Sequence, residues 1–156
     1  VYQRILVPHD GSSFAERVIP HVTELAQRFN AELILFEVIP APNPALYAAD
    51  AEAGIAADLA VQEIEEAQDE LRVSGQARLE SLVSSLAAQG IRASYNVVDG
   101  DPAHEINAFA RANQIDLIAM TSHGRTGLVR AILGSVSDLV LREATTPVLI
   151  VRASED

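Results

Sequence analysis

The chain has 156 residues, enough for one substantial core and too few to divide comfortably into two, so residues 1–156 are read as a single folding unit. A formal net charge of −11 argues against a nucleic-acid partner or an anionic membrane surface. All eleven basic residues are arginine and cysteine is absent, which excludes P-loop and Schiff-base lysines, disulfides, thiol catalysis and cysteine metal sites.

In chain order, Arg4 to Pro8 is an apolar run that ends at Asp10-Gly11 and predicts a strand and a turn. A helix follows, with Ile19, Val22, Leu25, Ala26 and Phe29 on one face, and Pro20 inside the pattern should kink it. Glu32 to Ile39 predicts a second buried strand. Pro40 to Ala45 holds three prolines and reads as a loop, and the segment from Pro40 to Asp50 is expected to be mobile without ligand. From about Ala51 to Gln89 the chain is rich in Ala and Glu, with Leu79, Leu82, Val83 and Leu86 at helical spacing and Gly90 as a stop. Its acidic run Glu63, Glu65, Glu66, Asp69 and Glu70 reads as a solvated helix face.

Ile91 to Val98 predicts a third strand, and Asp101-Pro102 starts a helix over Ala103 to Asn113 with Asp as cap. Asp116 to Met120 is a fourth strand, Ser135 to Glu143 a helix, and Pro147 to Val151 a fifth strand. Strands alternating with helices predict an α/β fold: an open, doubly wound, five-stranded parallel sheet of order 3-2-1-4-5 with helices on both faces. The apolar runs are of strand length and no leader is visible, so no membrane span or secretory signal is expected, and the cytoplasm is the default location.

In such a sheet a ligand crevice lies beyond the carboxyl ends of the strands where the winding reverses, here between strands one and four. The segments leaving them, Pro8-His9-Asp10-Gly11-Ser12-Ser13 and Thr121-Ser122-His123-Gly124, should therefore meet. Glycines and helix N-termini there suit an anionic phosphate without lysine. Ser13 to Glu16 and Ser135 to Asp138 also read as capping boxes, so both serines can serve helix ends as well as a ligand. His9, His123 and Asp10 could form a metal site or a hydrolase triad, but the histidines lack ligand spacing and no nucleophile elbow is present. Response-regulator chemistry would want an Asp after strand three and a lysine after strand five, and the chain has no lysine.

Four runs carry a further signal: RILVPHDGS from Arg4, SHGRTGL from Ser122, LGSVSD from Leu133 and TPVLIV from Thr146. Together they span the chain and resemble the universal stress protein family. Its ATP-binding members have glycine, two residues, glycine, nine residues, then glycine and Ser or Thr; Gly124, Gly134 and Ser135 match, while Thr121 stands at the first glycine. The resemblance implies that Asp10 and the backbone at Pro8 and His9 meet the adenosine, with Val38 beside the adenine. Gly124, Arg125, Gly134, Ser135, Val136 and Ser137 would hold phosphates and ribose, and Met120, Ser122 and His123 belong to the same expected set.

The expected ligand is ATP, ADP or AMP, with Mg²⁺ on the phosphates. The expected role is a regulatory module of the stress-response type acting on an unidentified protein partner. A slow ATPase and a nucleotide-free interaction protein, in which Thr121 blocks the site, are the alternatives. Val148 to Val151 is uncharged and lies at a sheet edge, and with the resemblance it predicts a homodimer through the fifth strand.

Overall fold

The computed structural model describes residues 1–43, 55–122 and 133–152. Five strands form one sheet: β1 (Arg4–Pro8), β2 (Glu32–Pro40), β3 (Ala93–Gly100), β4 (Leu117–Thr121) and β5 (Val148–Val151). The order is β3-β2-β1-β4-β5 and every pairing is parallel. Among the described residues, four α-helices connect them: α1 (Ile19–Phe29), α2 (Ile55–Ala88), α3 (Pro102–Ala112) and α4 (Ser135–Glu143). Most of the expected loop from Pro40 to Asp50, and the residues His123, Gly124 and Arg125, lie outside the described residues.

Alternation along the strands sends side chains to two separate cores. Ile5, Val7, Leu33, Leu35, Leu117 and Ala119 meet Val22 and Ala26 of α1 and Leu79 and Leu86 of α2. On the other face Leu6, Ile34, Phe36, Ile118 and Met120 meet Ala103, Ile106 and Ala110 of α3 and Val140 of α4. Burying a Leu, Ile or Val side chain contributes roughly 1.5–3 kcal/mol, so these two layers are what hold the strand ends in place. The Asp116 carboxylate accepts the backbone N–H groups of Gln3 and Arg4 at 2.7 and 2.8 Å, pinning the start of β1 beside the start of β4.

Several boundaries differ from expectation for identifiable reasons. Pro20 does not kink a longer helix: residues Ala15–Val18 form a separate 3-10 turn, and α1 begins at Ile19 with the proline in its first turn. There the missing N–H has no intrahelical acceptor to lose. Ile91 is not in a strand, because its N–H closes α2 by bonding the Leu86 carbonyl at 3.1 Å. Gly90, with φ of +77°, makes that reversal at no steric cost. The start expected at Asp101 holds, with Asp101 accepting the His104 N–H at 2.9 Å. Helix α2 is 34 residues long, about 51 Å, against about 30 Å for the strands it covers. Gln68 and Arg72 meet the carboxyl ends of β2 and β3 through Pro40 and Asp99, and the earlier turns run on past the sheet. Among the described residues no helix is long and apolar enough to cross a membrane.

Candidate functional site

The chain passes from β1 to β2 on one side of β1 and returns to β4 on the other, so the carboxyl ends of β1 and β4 open a crevice. Its volume is about 260 Å³. One wall is apolar: Phe36, Val38 and Pro40 of β2, Met120 of β4, and Pro102 and Ile106 of α3. The other is polar and is built from Pro8, His9 and Asp10 after β1 and from Gly134, Ser135, Val136 and Ser137 at the start of α4. Of the ten described residues expected from the sequence, all but Ser122 thus border one space, together with Thr121.

The polar wall is held by short-range bonds. The Asp10 Oδ1 accepts from the Ser12 N–H at 3.0 Å and from the Ser12 hydroxyl at 2.6 Å, and Ser12 Oγ accepts from the Ala15 N–H at 3.1 Å. The capping box expected at Ser13 is not formed: Phe14 is the N-cap of the first turn without a side-chain cap, and the Ala15 N–H is taken by Ser12. The capping box expected at Ser135 is also absent: Gly134 is the N-cap and no side chain caps α4. Its first-turn N–H groups have no intrahelical acceptors, and they carry the positive end of the helix dipole to the crevice.

Ser122 and Ser137 are occupied with structure. The Ser122 carbonyl accepts from the Gly134 N–H at 2.7 Å, and the Ser137 hydroxyl lies 3.0 Å from the carbonyl oxygens of both Ser122 and Gly134. These bonds tie the start of α4 to the end of β4. Thr121 is buried at the end of β4, and strand alternation places its side chain with Leu117 and Ala119 on the α1 and α2 side. Thr121 nonetheless borders the crevice.

His9 is 4% exposed and its Nδ1 accepts the Gly11 N–H at 3.0 Å, so Nε2 carries the proton. Nε2 has no partner among the described residues. Burial pushes the imidazole below its usual 6.5, with Arg78 acting the same way and the Asp10 and Glu16 carboxylates opposing. A depressed folded-state value means that the unfolded chain takes up the proton first. Stability is full above about pH 6.5 and falls as the pH drops toward the folded value, by up to about 1.4 kcal/mol per pH unit. His9→Gln should remove that slope, and parallel melting curves of the two proteins from pH 7.5 down to 5 would refute it.

Phe36, Pro40, Pro102 and Ile106 were not foreseen as site residues. Their positions at strand and helix ends beside the switch point were the available signal.

The fold and the crevice define a doubly wound α/β protein with a cleft at its switch point, apolar on one side and faced by an uncapped helix N-terminus on the other. Sequence comparison narrows the class. The Universal stress protein family profile matches residues 1–152, and the chain belongs to that family. Universal stress protein YxiE of Bacillus subtilis is 33% identical over 154 residues, covering 97% of this chain and 100% of that protein. The solved structure of MJ0577, a universal stress protein of Methanocaldococcus jannaschii, superposes with a TM-score of 0.83 at 28% identity over 99% of each chain. A universal stress protein solved in complex with cAMP superposes with a TM-score of 0.59 at 25% identity over 98% of each chain.

Proposed function

We propose that the crevice binds an adenine nucleotide and that the protein acts as a nucleotide-binding regulatory module of the stress response. The observation that carries this reading is the pairing of an apolar slot with an uncapped helix start across one cleft. Val38 and Met120 lie on the same face of the sheet with Phe36 beneath, a surface suited to a planar base. Asp10 borders the same crevice, where it suits ribose hydroxyls, and the α4 amides suit phosphates. On a chain of net charge −11 without lysine, attraction for an anion has to come from such local donors. The cAMP complex of a relative supports the same ligand class.

Mg²⁺ would be held by phosphate oxygens and water, since no group of three His, Asp or Glu converges among the described residues. Turnover is expected to be slow at most. Hydrolysis needs a positioned water and a base, and the described imidazole at the crevice, His9, has its Nδ1 engaged by Gly11. The setting is a homodimer joined through β5, in the cytoplasm, with a further protein partner reading the occupied state.

Mass spectrometry of the natively purified protein should detect an adenine nucleotide, and calorimetry should give binding of AMP or ATP. Thr121→Gly should leave the affinity within about threefold, about 0.6 kcal/mol, because its side chain faces away from α4. No heat and no thermal shift at millimolar AMP and ATP, for wild type and Thr121→Gly alike, would leave the nucleotide-free interaction protein as the reading.

A further inference from the structure

Behind the polar wall, on the α1 and α2 side of the sheet, a charged pair lies where β2 should be wholly apolar. Glu37 is 1% exposed, one residue before Val38 and therefore on the opposite face from it. Arg78 reaches it from α2, with Nη2 at 2.7 and 3.0 Å from the two carboxylate oxygens. Gly75, one turn earlier on α2, makes room: a Cβ there would stand 3.2 Å from the Glu37 carboxyl group. Replacing a buried ion pair with apolar residues often costs no stability, so stability alone does not account for this one.

The other side of the guanidinium supplies the account. A Cβ on Gly11 would lie 2.7 Å from Arg78 Cζ and Nη2, so the cation is packed directly against the backbone of the turn after β1. Gly11 has φ of +80°, and its N–H is turned back onto His9 Nδ1. In the same turn Ser12 closes on Asp10. The turn that aims Asp10 at the crevice is therefore seated on a cation that α2 supplies and Glu37 orients.

We propose that Arg78, oriented by Glu37, is a positioning residue for the ligand site: it seats the His9–Ser12 turn and so fixes Asp10 against the bound ligand. The effect on affinity rests on the adenine-nucleotide reading, whereas the effect on the turn does not. The consequence is a connection through the sheet from the crevice to α2, whose earlier turns project past the carboxyl edge. A change in the seating of the turn is a change at Arg78, and a displacement of α2 is a change at Asp10.

The test compares wild type, Arg78→Gln and the apolar pair Glu37→Leu with Arg78→Met. Without ligand, amide exchange at Gly11 and Ser12 should accelerate in both variants. The His9 imidazole should titrate at higher pH once the arginine is gone, still subject to Asp10 and Glu16. With AMP as the probe, affinity should fall about tenfold in both, and the double variant should do so while melting close to wild type. Unchanged exchange and an unchanged His9 titration in the folded double variant would overturn the proposal. So would full AMP affinity in that variant, because the pair would then serve only stability. Wild type that fails to bind AMP would sink the nucleotide reading while the exchange and titration results still decide the role of Arg78.

Discussion

Gly134→Val is expected to abolish binding of AMP and ATP, with a loss of at least about a hundredfold, or roughly 2.7 kcal/mol. The glycine has φ of −60° and ψ of 154°, a conformation open to any residue, so its backbone does not call for glycine. What calls for glycine is access. Gly134 borders the crevice at the start of α4, where phosphate oxygens would approach the first-turn amides. An isopropyl group there occupies the approach, and valine is also a poor N-cap, which costs about 1 kcal/mol of helix stability. The fold should survive, since the Gly134 N–H to Ser122 bond and the Asp138 N–H to Gly134 bond involve only the backbone. Calorimetry with circular dichroism separates the two effects. Wild-type affinity in a folded Gly134→Val protein would rule out phosphate binding at α4.

The fold was legible because β1, β4 and β5 are short, mostly apolar runs bounded by turn residues and β2 is apolar from Leu33 to Phe36. Parallel strands covered on both faces have this pattern, and the alternation with helices then dictates the sheet order. The switch point followed from that order, which paired the Pro8–Ser13 and Thr121–Gly124 segments, while Gly134 and Ser135 came from the resemblance to universal stress proteins. Caps were legible where the chemistry is local, as at Asp101, and misplaced where a neighbour intervened. Ser12 bonds Asp10 and accepts the Ala15 N–H, and Phe14 rather than Ser13 stands at the N-cap of the first turn.

Two kinds of site residue were out of reach. The apolar wall gathers Phe36, Pro40, Pro102 and Ile106 from two elements, and each alone looks like ordinary core or turn. Glu37 has a different problem. A single carboxylate in an apolar strand gives no sign of its burial until its partner is known, and Arg78 lies 41 positions later on another element. Gly75 likewise reads as a weak helix residue, since its role is the space it leaves for Glu37.

Leu149→Lys should convert the proposed dimer to a monomer at concentrations of tens of micromolar. β5 ends the sheet beyond β4, so among the described residues no strand lies beside its other edge. All four residues, Val148 to Val151, are only partly buried; Leu149 and Val151 pack toward the α1 and α2 core, Val148 and Ile150 toward the other. An uncharged edge with unpaired backbone groups and half-covered side chains on both faces is suited to a second copy running antiparallel across a two-fold axis. Such an axis makes every contact occur twice. If half of a leucine side chain is covered by the partner, each copy loses roughly 1–1.5 kcal/mol, and the doubled loss weakens association about a hundredfold. The ammonium groups brought toward one another add to that. Light scattering should give twice the chain mass for wild type and the single mass for the variant, with helical circular dichroism retained. A monomeric wild type, or a variant that stays dimeric, would move the interface away from β5.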